Sequence, residues 1–240
     1  MAKQRLDDSL SSVVNSLPNY MANVEIVSTG IYILDHILNG GMEAGTFVQI
    51  LSESGLGKTT IALQIAASYC SLDKKVVYVD TESSVSNEIL TSTGVIEYLN
   101  KSFFYIREST FDEVEKYLDK FINTNEISLI IIDSLPNLIN KCFTDLKKGV
   151  SITTNTTLYT SRPLTNFMNK YKSLANAKKF SLLFTNHYRQ RIDMTKGSIN
   201  KEYGGKNVKY NSDVLLKINK ITSTGINKDF KSMFEPLKDG

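Results

Sequence analysis

The residues most able to do chemistry stand at 52–59, SESGLGKT, between an apolar run and a stretch of helical spacing. The spacing fits G-x-x-x-x-G-K-[ST], a phosphate-cradling pattern, with Ser52 in place of the first glycine. Gly55 and Gly57 let backbone amides turn inward around phosphates, and the amino end of a following helix adds positive potential. Lys58 can reach the β- and γ-phosphates of a nucleoside triphosphate, and the Thr59 hydroxyl can ligate Mg²⁺. Ser52 is small enough to begin the turn. The candidate nucleotide-binding set is Ser52, Glu53, Ser54, Gly55, Leu56, Gly57, Lys58, Thr59 and Thr60.

Three further residues follow apolar runs. Asp133 ends LIII, and a carboxylate at a strand tip can hold the water shell of Mg²⁺; alone it would as readily be a solvated strand end. Glu82 follows VVYVD (76–80) and can polarise an attacking water as general base, against the plainer reading of a surface carboxylate. Only one of Asp80 and Glu82 is taken to face the site, and Glu82 is favoured because Asp80 still belongs to the strand. His187 closes SLLFTNH, where it can touch the γ-phosphate and pass its presence to the next segment; a lone histidine is as readily structural. Together these positions imply a nucleoside triphosphatase that works with magnesium.

Such chemistry needs a scaffold that ends its strands along one edge. Strands are expected at 47–51, 76–80, 103–106, 128–133, 181–186 and 214–218. Helices are expected at 59–70, on the face Phe111, Val114, Leu118, Phe121 and Ile122, and at 161–179 with Leu164, Phe167, Met168, Tyr171 and Leu174 inward. An earlier helix over 5–17 carries Leu6, Leu10, Val13, Val14 and Leu17 before Pro18 stops it. Continuous apolar strands separated by helices argue for an α/β fold, a mainly parallel sheet covered on both faces. Ligands then bind beyond the carboxyl ends of the strands, where the candidate residues fall.

Composition narrows the class. The 240 residues suffice for one large domain, and 41% hydrophobic content argues against disorder over the bulk of the chain. No apolar run approaches the ~20 residues of a membrane span, and the N-terminus lacks a signal-peptide stretch. Cys70 and Cys142 have no ligand-like spacing, so reduced thiols in a cytoplasmic protein are expected, with no membrane partner. The net charge of +3 is too mild to argue for nucleic acid by itself.

The motifs in this order resemble the RecA recombinase family: STG at 28–30, the phosphate loop, DTE at 80–82, DS at 133–134, Asn186-His187 and Gly204-Gly205. Asn186-His187 and DSLPNL at 133–138 look closer to the T-even phage recombinase (UvsX) branch than to bacterial RecA, which carries Asn-Gln there. The resemblance covers roughly residues 24–222, behind a 1–23 helical segment that packs on a neighbouring protomer in this reading. It implies a RecA-like ATPase core over 24–240, ATP and Mg²⁺ as cofactors, and self-association into filaments or rings. Lys58 and Thr59 would bind phosphate and metal, Asp133 the metal, Glu82 would be the catalytic carboxylate, and His187 the γ-phosphate sensor.

The family also places two DNA-binding loops after the strands ending near Asp133 and Asn186, here 141–160 and 188–209. The second carries Arg189, Arg191, Lys196, Lys201, Lys206 and Lys209 against Asp193 and Glu202, a surplus larger than that of the whole chain. Tyr188 and Tyr203 would stack on bases of single-stranded DNA. Three departures stand out. Ile89 falls near the adenine-stacking tyrosine of bacterial RecA, the segment before the core is short, and the chain ends at Gly240 before the lysines expected to reach a neighbour's nucleotide. The function implied is DNA-dependent ATP hydrolysis driving homologous pairing and strand exchange; a regulatory ATP-binding paralogue and a hexameric helicase-type ATPase are the other readings of this core.

Overall fold

Valine- and isoleucine-rich runs favour extended backbone because branched side chains pack well on a pleated surface. In the computed structural model, which describes residues 24–124, 126–138, 156–193 and 197–220, each such run forms a strand. A two-residue strand β1 (Ile26–Val27) pairs antiparallel with β2 (Met42–Glu43) around helix α1 (Tyr32–Ile37). Then follow β3 (Phe47–Ser52), α2 (Lys58–Ser71), β4 (Lys75–Asp80), α3 (Asn87–Ser92), β5 (Phe103–Arg107), α4 (Phe111–Thr124) and β6 (Ile127–Asp133). The chain continues with α5 (Thr156–Lys178), β7 (Ser181–Asp193), β8 (Gly197–Glu202), α6 (Gly205–Asn211) and β9 (Val214–Ile218). The main sheet runs β5-β4-β6-β7-β3-β9 with every neighbouring pair parallel, and β8 adds to β7 antiparallel.

Strand alternation divides the interior into two cores. Val77 and Val79, Ile130 and Ile132, and Leu182 and Phe184 pack with Phe111, Val114 and Leu118 of α4 and Leu164, Phe167, Met168 and Tyr171 of α5. Their neighbours Val76, Tyr78, Leu129, Ile131 and Leu183 pack with Ala62, Leu63, Ile65, Ala66 and Tyr69 of α2. Each large side chain buried in this way contributes roughly 1.5–3 kcal/mol. Burial on both faces is why these strands read as unbroken apolar runs.

The STG segment is a clasp. Asp35 accepts from Ser28 Oγ at 2.6 Å, from the Thr29 amide at 2.7 Å and from Thr29 Oγ1 at 2.6 Å, while Ser68 Oγ of α2 donates to the Ser28 carbonyl at 3.1 Å. Burial works to raise the Asp35 pKa, but hydrogen bonds from Ser28 and Thr29 outweigh it and hold the carboxyl below its ordinary value.

Some expected elements change. The helix expected from 161 begins at Thr156, so the end of the 141–160 segment, expected as a DNA-binding loop, opens α5. The strand expected at 181–186 runs on to Asp193 and pairs with β8 in six rungs, from Tyr188↔Glu202 to Asp193↔Gly197. Residues 188–209, expected as a loop, therefore hold a hairpin and the start of α6; hydrogen bonding to a partner strand needs no apolar periodicity. The expected 5–17 helix and residues 141–155 lie outside the described residues. Among the described residues no helix is long and apolar enough to cross a membrane.

Candidate functional site at the strand tips

The first candidate residues are placed by the end of β3 and the start of α2. Gly55 and Gly57 have φ of 78° and 82°, the left-handed region, and a Cβ built on either would meet nothing within 4 Å. Glycine is required there by backbone conformation, not by crowding. Lys58 is almost fully buried; its Nζ donates to Ser52 Oγ at 2.9 Å and to the Glu53 carbonyl at 2.8 Å. Ser52 thus does what a glycine at that position cannot: its hydroxyl accepts from the ammonium and donates to the Glu53 carbonyl at 2.7 Å. Burial lowers the Lys58 pKa, and the charges of Asp133 and Glu82 oppose that shift. Glu53, Ser54 and Thr60 are exposed, and Leu56 is half-buried.

Asp133 ends β6 with its carboxylate buried beneath the loop. Thr59 Oγ1 donates to Oδ2 at 2.7 Å, Tyr78 Oη donates to the same oxygen at 2.7 Å, and Thr185 Oγ1 donates to Oδ1. Thr59 and Asp133, 74 positions apart in sequence, are thereby brought into contact. The adjoining strand tips are tied as well: Ser134 N donates to Thr81 Oγ1 at 2.7 Å, and Thr81 Oγ1 donates to the Ser134 carbonyl at 2.8 Å.

The two carboxylates after β4 have separate tasks. Asp80 is fully buried and accepts from the amides of Glu82, Ser84 and Val85 at 3.1, 3.3 and 3.1 Å and from Tyr105 Oη at 2.6 Å. It holds the turn on which Glu82 is carried. Glu82 Oε1 accepts from Ser134 Oγ at 2.5 Å and lies 3.3 Å from His187 Nε2. The hydrogen bond with His187 is the main cause holding the Glu82 carboxyl below its ordinary range; Ser134 and the charges of His187 and Lys58 add to it, against burial. Glu82, Ser134 and His187 therefore form one polar cluster beside the loop that carries Lys58 and Thr59.

His187 is positioned by its buried neighbour. Asn186 Oδ1 accepts the His187 amide at 2.8 Å, and Asn186 Nδ2 donates to the Tyr203 carbonyl at 3.0 Å. The next residue, Gly204, caps the start of α6 at φ 79°, and a Cβ there would stand 2.2 Å from Val208 Cγ2, so no larger residue fits. Tyr203 is buried in the core with Val208 and Phe167, which corrects its reading as a base-stacking residue: burying the ring stabilises the fold and withdraws it from any ligand. Tyr188 is half-buried, and its hydroxyl is pushed up by burial and by the charges of Glu202 and Glu53.

Arg189 and Arg191 lie on β7 and Lys201 on β8, with Arg189 directly opposite Lys201 in the register. By the period of two, positions 189, 191, 199 and 201 belong to one face of the hairpin. Lys206 is exposed on α6, and Lys196 lies outside the described residues. Ile89 sits half-buried on α3 against the α2 core. Sequence reasoning missed Tyr78, Thr185 and Ser134. The available signal was a hydroxyl in the middle or at the tip of an otherwise apolar, doubly covered strand, which must find a buried partner.

A model of the RecA N-terminal domain family matches residues 8–235. The DNA repair and recombination protein RadB of Methanococcus maripaludis is 32% identical over 192 residues, covering 79% of this chain and 84% of RadB. Protein RecA of Mycoplasma genitalium is 28% identical over 201 residues, 83% of this chain and 57% of that protein. Protein RecA of Streptomyces venezuelae is 27% identical over 219 residues, 90% of this chain and 52% of that protein. The chain thus spans little more than half the length of these RecA proteins and most of RadB.

Proposed function

Because the chain belongs to the RecA N-terminal domain family, we propose that it is a DNA-dependent ATPase of recombination and repair. In this reading it assembles as a filament on single-stranded DNA and promotes homologous pairing and strand exchange. The observation that carries it is the continuity of β7, which passes from the Glu82–His187 contact straight into the basic hairpin.

The residues present fit a magnesium nucleotide. The Thr59 hydroxyl and the Asp133 carboxylate are in contact at the loop's base, and the Lys58 ammonium is held among oxygen acceptors. When bound, Mg²⁺ would neutralise charge developing on the phosphates, held through Thr59 and Asp133. Lys58 would place its charge on the phosphate oxygens. Glu82 is the candidate base: a carboxylate beside Ser134 and His187 next to the loop, it can accept a proton from a positioned water. His187 would exchange its Glu82 contact for the terminal phosphate and shift the hairpin that follows it. Arg189, Arg191, Lys196, Lys201 and Lys206 would meet the DNA backbone.

Finer features belong to the same proposal. Asn186-His187 favours the T-even phage recombinase branch, and with it a phage-encoded protein at work in a host cytoplasm. Residues 1–23 would be an oligomerisation helix ahead of a core over 24–240. ATP hydrolysis measured with and without single-stranded DNA, alongside electron micrographs, tests the whole reading. Stimulation by DNA and filaments are expected; rings would favour the helicase-type reading, and ATP binding without DNA binding the regulatory paralogue. Lys58→Ala should lower turnover at least a hundredfold, about 3 kcal/mol of transition-state stabilisation. Glu82→Gln should bind ATP normally and hydrolyse it slowly; equal loss of binding would give Glu82 a structural task instead.

A further inference from the structure

We infer that Tyr78, buried at the centre of the sheet, is a positioning residue for the divalent-cation carboxylate, its hydroxyl fixing the Asp133 oxygen that also meets Thr59. This rests on the magnesium-nucleotide reading above.

Tyr78 is fully buried on β4, opposite Ile131 of β6 and Tyr105 of β5. Its ring is held by Phe103 and Tyr105, with centroids 5.9 and 6.1 Å away. The hydroxyl therefore has little freedom, and it meets Asp133 Oδ2 at 2.7 Å. Thr185 Oγ1 serves the other carboxylate oxygen from β7. Two buried hydroxyls on the strands flanking β6 thus hold the carboxylate from both sides, while Thr59 reaches it from the helix start.

The three hydroxyls differ in what they can do when a cation arrives. Thr59 stands at the loop and can turn its oxygen lone pair to the metal. Tyr78 is buried behind the carboxylate, so it can only orient the ligand. Groups that orient a metal ligand typically change metal affinity ten- to a hundredfold when lost.

Tyr105 supplies an internal control. It stacks on Tyr78 with planes 20° apart, yet its hydroxyl donates to Asp80 at 2.6 Å, not to Asp133. Removing either hydroxyl keeps a phenyl ring in the same stack, but only Tyr78→Phe touches the cation carboxylate.

The test measures binding of a fluorescent ATP analogue across a magnesium titration for wild type, Tyr78→Phe, Tyr105→Phe and Thr185→Val. The Mg²⁺ concentration at half-maximal binding should rise about tenfold for Tyr78→Phe and stay within twofold for Tyr105→Phe. Thr185→Val, nearly isosteric, should move the midpoint in the same direction and serves if Tyr78→Phe does not fold. Analogue binding in excess chelator should match wild type, which separates cation positioning from damage to the loop. A Tyr78→Phe midpoint equal to wild type, or equal shifts in Tyr78→Phe and Tyr105→Phe, would overturn the inference while leaving nucleotide binding intact. Wild type without magnesium-dependent binding would instead remove the site reading on which it rests.

Discussion

Strand β7 joins two regions built on different terms. From Ser181 to Asn186 it is buried between β6 and β3, parallel to both, with Leu182 and Phe184 in one core and Leu183 in the other. From Tyr188 to Asp193 its partner is β8, antiparallel, and its sequence is polar and basic. The first half is specified by removal of apolar surface from water, the second by backbone pairing. His187 stands at the join and touches Glu82. In the proposed reading, a strand buried at one end and paired through its backbone at the other would carry a change at His187 into the hairpin.

The largest effect that could break this comparison is on stability. Phe184→Ala removes a fully buried ring that contacts the edge of Phe47, and it should cost about 3–5 kcal/mol in denaturant unfolding. Changing Arg189 and Arg191 together to alanine should cost under about 1 kcal/mol. Comparable losses for both would mean that the hairpin half is as much a part of the folding core as the buried half.

The same division explains what was legible in the sequence. The six core strands and three long helices lie close to where apolar runs and helical faces place them, because two-sided burial leaves a continuous hydrophobic record. The hairpin left none. Its successive positions carry Arg189, Gln190, Arg191 and Ile192, a sequence with no apolar face, so its pairing was invisible. Short elements such as α1, α3 and the β1–β2 pair are fixed by contacts like the Asp35 clasp, too brief for periodicity to register. At the site, the candidates at strand ends lie along one edge, but the pairing of Glu82 with His187 crosses 105 positions and the ties of Asp133 to Tyr78 and Thr185 cross 55 and 52. Spacing carries no information about such partners.

An intermediate effect sharpens the comparison through binding. The Arg189/Arg191 double change should weaken single-stranded DNA binding and reduce the slope of log affinity against log salt by about one to two. Fluorescence anisotropy at several salt concentrations measures it. Affinity for ATP should hardly move, because neither residue is assigned to the nucleotide. An unchanged salt slope would detach the hairpin from the DNA backbone and leave it a structural appendage.

The smallest effect tests the join itself. The Glu82 carboxyl is held below its ordinary range chiefly by the hydrogen bond with His187, so the ionised form is favoured in the folded chain. The sign follows from linkage. A group with a depressed folded pKa stabilises the fold above its unfolded value, about 4.3 for glutamate, and that contribution fades as pH falls through the lower folded value. Because the Glu82 side chain keeps 29% of its exposure, screening by water limits the contribution to roughly 0.5–1 kcal/mol. Glu82→Gln keeps an acceptor for Ser134 and removes only the charge, so unfolding free energies of the two proteins isolate that term. Wild type should be the more stable from about pH 5 to 7, with the gap closing below about pH 4. A gap that is constant from pH 3 to 7, or that widens in acid, would show that the Glu82 carboxylate is not held by the histidine of β7.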